Sequence, residues 1–228
     1  MIDPPLLSKE PWASLRGWYL ANGRHHLPWR LNSTPWGVFV AETMLHRTRA
    51  VIVEALYESL MREFPSPGQV VAHREKWIEM TRSAGLGWRI RRFTDACAQL
   101  VNRYDGRVPS DANALLSLPG VGHYIMSAVR CFGYAIPAGI VDTNTIRLAS
   151  RIAGMDLDPA HHRSAEARDV VSRLGEDGAP PVAADNYALL DLAAIICRPI
   201  QPKCSQCPLQ PDCVTGRAHP IDALRWKT

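Results

Sequence analysis

The sequence predicts an all-α protein. Apolar residues recur at the three- and four-residue spacing of a single helix face, most clearly over residues 89–104. Proline and glycine interrupt these runs repeatedly and mark their ends. No alternation of apolar and polar residues is sustained long enough to predict a strand. Helices joined by short turns are therefore the expected architecture of the whole chain.

Each helix is located by its own start or stop signal. A first helix ends at about Leu20, before a polar turn. Ser66-Pro67 and Ser110 supply capping side chains at helix starts, and Gly85 and Gly87 end another helix. The other predicted helices run from about Gly37 to Thr48, Ala50 to Glu63, Arg89 to Tyr104, Asp111 to Leu118, His123 onward, Asp142 to Ile152, Pro159 to Leu174 and Ala183 to Cys197.

The composition is that of a water-soluble globular protein. The 228 residues are 46% hydrophobic and 21% charged, and the net charge of +4 is compatible with a polyanionic partner. The N-terminus lacks the basic and apolar regions of a secretion signal. The most apolar stretch, Tyr187–Cys197, is interrupted by Asp191 and is too short to span a bilayer. Cys97 and Cys131 are expected to be buried free thiols, as in a protein of the reducing cytoplasm.

Four cysteines near the C-terminus predict a metal centre. Cys197, Cys204, Cys207 and Cys213 are spaced C-x6-C-x2-C-x5-C. Thiolates this close together suit either an iron–sulfur cluster or zinc. Common zinc sites instead use two C-x2-C-like knuckles separated by a longer stretch, a pattern that this spacing does not fit.

A glycine-containing turn, Leu118-Pro119-Gly120-Val121-Gly122, connects two predicted helices. Its glycines allow positive φ and a close backbone approach. The helix that begins at His123 would point free N–H groups outward, where they could hold a phosphate of a nucleic-acid backbone. A plain corner between two helices is the alternative interpretation.

Two carboxylates are candidates for catalysis. Asp142, at the start of a helix, is either an ordinary N-cap or a group that stabilises positive charge on a sugar. Glu42 shares a helix face with Val38, Ala41 and Leu45. A carboxylate in an apolar stripe is costly unless it is partnered or functional, and burial favours its protonated form. The alternative is a side chain at the edge of the stripe that reaches solvent.

Together these features resemble the helix–hairpin–helix DNA glycosylases of the endonuclease III and adenine glycosylase superfamily. The resemblance covers roughly Leu27 to Cys213 and is carried by six segments: Leu27-Pro28-Trp29-Arg30, Ala41-Glu42-Thr43-Met44-Leu45, Leu118 to Gly122, Val141-Asp142, Leu190-Asp191-Leu192-Ala193-Ala194 and the cysteine array. It implies a helical barrel over residues 31–139 with the hairpin at about 111–131. It also implies a second helical domain of residues 1–30 and 140–228, with DNA in the groove between the two.

The residue after Gly122-His123 divides the family by chemistry. Lyase members carry a lysine there, which attacks the sugar, and adenine glycosylases commonly carry serine. Tyr124 stands here, as in the thymine–guanine mismatch glycosylases, which the chain resembles most closely. A phenol forms Schiff bases poorly. The resemblance therefore implies a monofunctional enzyme that hydrolyses the bond to thymine or uracil opposite guanine and leaves an abasic site.

The same resemblance assigns further residues. Cys197, Cys204, Cys207 and Cys213 would hold a [4Fe–4S] cluster in the loop 197–213. Asp142 would stabilise the cationic sugar, Tyr124 would lie against the flipped nucleotide, and Glu42 would organise the pocket. The residues expected to contact DNA are Arg47, His46, Leu86, Gly120, Gly122, His123, Arg198 and Lys203. The expected partner is duplex DNA with a mismatched or modified base, bound by a monomer associated with the nucleoid.

Several alternatives stay open from the sequence. An adenine glycosylase without the domain that reads oxidised guanine is the first, although His46 and Arg47 stand where such enzymes usually place glutamines. A modified-pyrimidine glycosylase is the second. A non-catalytic binder of DNA structure and a zinc-bound interaction module complete the set, and the presence of both Glu42 and Asp142 argues against the binder.

Overall fold

The protein is described here from a computed structural model that covers residues 6–84, 87–157 and 164–218. Those residues are helical and contain no strand, as the sequence predicts. The α-helices are α1 (Lys9–Asn22), α2 (Pro28–Leu31), α3 (Pro35–Leu45), α4 (Ala50–Glu63), α5 (Pro67–Ala72), α6 (Arg74–Thr81), α7 (Gly87–Tyr104), α8 (Ala112–Leu116), α9 (His123–Ala128), α10 (Thr143–Ala153), α11 (Ala165–Ser172), α12 (Ala183–Ile195) and α13 (Val214–Ala218).

The chain divides into two compact units. One is His25–Ile136, and the other joins Met1–Arg24 to Pro137–Thr228. The sequence predicts the boundaries at residues 31 and 139 instead. The first difference has a local cause, because Trp29 packs edge-on against Tyr57 with ring centroids 5.7 Å apart and so belongs to the unit of α4.

An aromatic core holds the unit His25–Ile136 together. Phe93, on α7, stacks on Phe39 at 5.3 Å and on Trp77 at 4.8 Å between ring centroids. The indole of Trp36 donates a 2.9 Å hydrogen bond to the carbonyl of Phe64. Helix α7 is amphipathic as predicted, and its buried apolar residues are Ile90, Phe93, Ala96, Cys97 and Leu100. Large aromatic rings in contact bury much apolar area for each residue and favour edge-on or offset geometries.

Several predicted helix ends were wrong by a few residues. Helix α3 stops at Leu45 instead of Thr48, because Arg47 adopts a left-handed backbone conformation with φ of 64° that no α-helix can include. The cap of α8 is Asp111, whose carboxylate accepts the N–H of Ala114 at 2.8 Å, and not Ser110. Ser66 precedes α5 but makes no capping hydrogen bond with its side chain.

The unit of Met1–Arg24 and Pro137–Thr228 buries its own core between α1, α10, α11 and α12. The indole of Trp12 donates to the carbonyl of Leu174 at 3.0 Å. Asp191 is fully buried and accepts the Arg24 backbone N–H and Nε, each at 2.7 Å. The predicted start of α11 at Pro159 lies outside the described residues, and Ser164 caps the helix that is seen.

Two smaller expectations concern thiols and membranes. Cys97 and Cys131 are buried free thiols, as predicted, and burial raises the pKa of Cys97. None of the helices in the described residues combines the length and the apolar character needed to cross a membrane.

Candidate active site

Glu42 and Tyr124 form a hydrogen-bonded pair within the unit His25–Ile136. Glu42 lies in the middle of α3 and is only 4% exposed, so the alternative of a glutamate that reaches solvent was wrong. The Tyr124 hydroxyl, on the first turn of α9, donates to Glu42 Oε2 at 2.8 Å. Val38 and Ala41 on the same face of α3 are buried too. Two residues that the sequence singled out separately are thus one constellation: a phenol held against a buried carboxylate.

The hairpin before α9 has the strained turn that the sequence predicts, but at one glycine only. Gly120 has φ of +82°, and a Cβ there would lie 3.2 Å from the Cβ of Arg92. Gly122, the residue before α9, has φ of −106° and open space around it, so the expectation of positive φ was wrong there. Gly122 and His123 are exposed. The start of α9 is therefore accessible for a phosphate, and Gly120 sets the turn that places it.

Asp142 is the N-cap of α10, within the unit Pro137–Thr228. Its Oδ1 accepts the backbone N–H groups of Asn144 at 2.9 Å and Thr145 at 2.8 Å. The Thr145 hydroxyl accepts the N–H of Asp142 in return at 2.9 Å, which completes a capping box. Its Oδ2 accepts one hydrogen bond, 2.8 Å long, from Asn144 Nδ2. Since a carboxylate oxygen accepts two hydrogen bonds, Oδ2 retains capacity for a further contact, and capping does not preclude catalysis.

A chain of hydrogen bonds joins Asp142 to the first cysteine of the array. Asn144 Oδ1 accepts from Arg147 Nη2 at 3.1 Å, while Arg147 Nε donates to the carbonyl of Cys197 at 2.9 Å. Arg147 Nη2 also donates to the carbonyl of Ala193 at 2.9 Å. Burial lowers the pKa of Arg147. Burying a guanidinium costs free energy unless it is hydrogen-bonded. The hydrogen bonds of Arg147 meet this need and connect α10 to the end of α12.

The four cysteines of the array line one pocket, together with Leu148, Arg151 and Leu209. Burial raises the pKa of Cys207 to about 12 and raises those of Cys204 and Cys213 as well, so a cation would be needed to hold them as thiolates. The described residues contain no group of three or more His, Cys, Asp or Glu side chains that could hold a metal ion. The four thiols share one pocket.

Arg151 is hydrogen-bonded to two cysteines of this array. Its Nη1 donates to Cys197 Sγ at 3.3 Å and to the carbonyl of Arg198 at 2.8 Å. Its own carbonyl accepts from Cys213 Sγ at 3.2 Å. Arg198 and Lys203, predicted phosphate contacts, are exposed within the first cysteine loop, where Arg198 Nη2 donates to the carbonyl of Gln201 at 3.1 Å.

Of the remaining predicted DNA contacts, His46 and Arg47 are exposed in the turn between α3 and α4. Leu86 lies outside the described residues. Sequence analysis missed the polar residues that support the site, namely Asn144, Arg147, Arg151 and Arg89. A signal was present for three of them, because Asn144, Arg147 and Arg151 recur at three- and four-residue spacing and so share one face of α10.

Comparisons with known proteins now identify the family. The sequence pattern of the HhH-GPD superfamily base excision DNA repair proteins matches residues 40–173. A thymine-DNA glycosylase from Aeropyrum pernix is 32% identical over 200 residues, which cover 86% of this chain and 90% of that protein. The chain belongs to the HhH-GPD superfamily of base excision DNA repair proteins.

Two further relatives refine the likeness. A solved structure of a thermostable thymine-DNA glycosylase superposes with a TM-score of 0.82 at 26% identity and covers 91% of this chain and 95% of that one. An adenine DNA glycosylase from Mycolicibacterium smegmatis is 33% identical over 200 residues, which cover 86% of this chain but 66% of that protein. The two relatives named thymine-DNA glycosylases therefore match along more of their own length than the one named adenine DNA glycosylase does.

Proposed function

We propose that this protein is a monofunctional DNA glycosylase that excises thymine or uracil mismatched with guanine and leaves an abasic site. The observation that carries the proposal is the pair of Tyr124 with the buried Glu42, at 2.8 Å. Tyr124 stands at the position where lyases of this family carry a lysine, and its hydroxyl donates a hydrogen bond to the Glu42 carboxylate. The relatives named for thymine, matched along nearly their whole length, support the same substrate class.

In the proposed reaction, water replaces the base at the anomeric carbon of the deoxyribose. The N-glycosidic bond breaks with its electron pair on the base, which leaves as an anion and takes up a proton from solvent. Positive charge develops on the sugar, and the Asp142 carboxylate would stabilise it and orient the attacking water, whose proton is lost. The Asp142 cap serves this role because two backbone N–H groups fix Oδ1 while Oδ2 can accept another contact.

The target nucleotide must first leave the base stack. A mismatched base costs less to extrude than a paired one, which contributes selectivity. We assign the exposed start of α9, at Gly122 and His123, to a phosphate, since backbone N–H groups at a helix start bind anions. Tyr124 would lie against the flipped nucleotide, with Glu42 holding its ring in one orientation.

We also propose that Cys197, Cys204, Cys207 and Cys213 hold a [4Fe–4S] cluster. The four thiols line one pocket, and their spacing C-x6-C-x2-C-x5-C does not fit the two C-x2-C-like knuckles of common zinc sites. The N–H of Arg151 that points at Cys197 Sγ would offset the negative charge of the ligands. When bound, the cluster would cross-link the loop 197–213. A brown, iron-containing preparation would support this assignment, and a colourless one with zinc would refute it.

The decisive experiment is single-turnover base release from duplexes with thymine, uracil or a modified cytosine opposite guanine, and with adenine opposite guanine or oxidised guanine. We expect release of thymine and uracil and no borohydride-trapped adduct. Release of adenine alone would replace the proposal with its main alternative, which the relative from Mycolicibacterium smegmatis favours.

Asp142→Asn tests the mechanism within the same assay. Asparagine also caps helices well, so the fold should persist. We expect the excision rate to fall by about 10²–10³, the range found when one group that stabilises transition-state charge is removed. The matched control is Asp169→Asn, which neutralises an exposed aspartate on α11 and should leave the rate unchanged. Near-normal excision by Asp142→Asn would remove this mechanism.

A further inference from the structure

Arg89 is a buried arginine that hydrogen-bonds uncharged groups of two separate turns. It lies in the first turn of α7 and is 4% exposed. Its Nη1 donates to the carbonyl of His46, and its Nη2 donates to the carbonyl of Ala84 at 2.6 Å and to Thr48 Oγ1 at 3.1 Å. Burial lowers the pKa of Arg89. Removing a guanidinium from water for such contacts is costly, so they are expected to serve a purpose.

The turn that Arg89 holds contains a strained residue. Arg47 adopts φ of 64°, a left-handed conformation that residues other than glycine rarely take, and its side chain is exposed. The residues on either side of Arg47, His46 and Thr48, are both held by hydrogen bonds. His46 is bonded through its carbonyl, and the Thr48 hydroxyl, besides accepting from Arg89, donates to the carbonyl of Ala84 at 2.7 Å. A backbone in a rarely populated conformation persists only when its surroundings hold it there.

The start of α7 makes a second contact with this turn. The ring of Trp88 meets that of His46 edge-on, with centroids 6.5 Å apart. Helix α7 is also anchored by its buried apolar residues Ile90, Phe93 and Leu100. Of the three hydrogen bonds of Arg89 given above, two go to the turn at His46 and Thr48, and the third goes to Ala84, which precedes α7.

We propose that Arg89 is a positioning residue that locks the turn at His46, Arg47 and Thr48 so that the Arg47 side chain meets the DNA duplex in one conformation. The inference rests on the proposed function, which makes duplex DNA the partner of that turn. A guanidinium suits the task because its planar fork can reach acceptors on both turns at once, which a lysine ammonium cannot do. Holding a contact residue in its bound conformation strengthens binding by lowering the ordering cost.

Binding to a duplex with one central G·T mismatch tests the inference by fluorescence anisotropy. The variants are Arg89→Lys, which keeps the charge but loses the fork, Arg47→Ala, and the two combined. We expect each single change to weaken binding by about tenfold and the double variant to be no weaker than the Arg47→Ala protein, because two residues that act as one unit are not additive. A double variant about a hundredfold weaker would overturn the proposal.

Hydrogen exchange over residues 46–49 supplies a readout that does not depend on DNA. Arg89→Lys should speed exchange of these amides while the rest of α7 stays protected. The control Arg103→Lys, an exposed residue in the last turn of the same helix, should change neither exchange nor binding. Unchanged exchange in Arg89→Lys would overturn the proposal. If Arg89→Lys does not fold, Thr48→Val removes the hydroxyl that bonds Arg89 and Ala84. Faster exchange over residues 46–49 in Thr48→Val would then support the proposal, and unchanged exchange would overturn it.

The two proposals fail separately. If the protein releases no base from any duplex while Arg89→Lys still alters exchange and DNA affinity together with Arg47, the proposed glycosylase activity is wrong and the role of Arg89 stands. If bases are released and the two residues act additively, the activity stands and the role of Arg89 is wrong.

Discussion

At the scale of single residues, each of the two units contains a candidate carboxylate that is held by hydrogen bonds. The Glu42 carboxylate is almost fully buried, which would be costly without the Tyr124 hydroxyl as a donor. Asp142 Oδ1 accepts two backbone N–H groups that cap α10, whereas Oδ2 accepts one hydrogen bond and can accept another. Both residues therefore have a structural role besides the chemical role proposed for them, and substitutions must separate the two.

Tyr124→Phe separates these roles for the pair. The change removes a donor from a buried carboxylate, so we expect the free energy of unfolding to fall by about 1–3 kcal/mol in chemical denaturation. Base release should slow as well, because the ring loses its fixed orientation. Tyr104→Phe is the control, because the Tyr104 ring lies under the guanidinium of Arg103 and this contact does not need the hydroxyl. The free energy of unfolding of this variant should stay within about 0.5 kcal/mol of that of the parent protein. Equal effects at the two tyrosines would contradict this interpretation.

At the scale of elements, the two glycines of the hairpin differ in backbone conformation and surroundings. Gly120 has a positive φ and lies close to Arg92, whereas Gly122 is unstrained with open space beside it. Glycine at position 120 is therefore expected to be required for folding. Glycine at position 122 is expected to be required for the phosphate contact.

Alanine at each glycine distinguishes the two requirements. Gly120→Ala should lower the free energy of unfolding by about 1–2 kcal/mol, the cost of a left-handed conformation for a residue with a Cβ. Gly122→Ala should leave stability nearly unchanged but weaken duplex binding, because its methyl group would stand on the exposed surface at the start of α9. Thermal unfolding and anisotropy measure the two effects. A loss of stability at Gly122 with normal DNA binding would refute this assignment.

Helix α10 is the second element with a double role, since it connects the carboxylate at its start to the cysteine array. The connection runs from Asp142 through Asn144 and Arg147 to the carbonyl of Cys197. Short, directional contacts of this kind hold a catalytic group in place more firmly than apolar packing does.

Breaking this connection should impair catalysis more than DNA binding. For Asn144→Ala we expect excision to slow by about tenfold, roughly 1.4 kcal/mol of transition-state stabilisation, with duplex affinity unchanged. Arg147→Lys should slow it similarly and also reduce stability, because the carbonyls of Cys197 and Ala193 lose donors. Thr143→Ala, an exposed neighbour on α10, is the control. Excision at the normal rate in both variants would show that the connection is only structural.

At the scale of the whole molecule, the chain carries a modest net charge of +4, so DNA affinity must come from charges placed at particular points. Arg198 and Lys203 are exposed within the cysteine loop and are candidates for such points. The cluster proposed for that loop would then serve DNA binding by fixing the positions of these side chains.

The salt dependence of binding tests Lys203. Loss of one phosphate contact should make the slope of log affinity against log salt less negative by about 0.9 in Lys203→Ala. Lys9→Ala, which removes an exposed lysine from α1, should leave the slope unchanged. An unaltered slope in both variants would mean that Lys203 is an ordinary solvated charge.

The sequence by itself determined the features that depend on neighbouring residues. Helical spacing predicted the all-α class and placed α4 at its observed ends, and it put Glu42 on one face with apolar residues while leaving its burial open. The turn residues predicted the hairpin and the cap at Asp142. Each of these signals spans only a few residues, because helix periodicity and capping are local interactions.

The tertiary structure alone decided which distant residues meet. Tyr124 and Glu42 are far apart in the chain, as are Arg147 and Cys197, and no local pattern joins them. The early end of α3 at Leu45 also came from outside the helix, because Arg89 holds the turn in which Arg47 is left-handed. Hydrogen bonds between distant segments depend on how the core packs. A helix pattern shows which apolar residues share a face with a polar side chain, but only the packed core decides whether that side chain is buried and which partner it has.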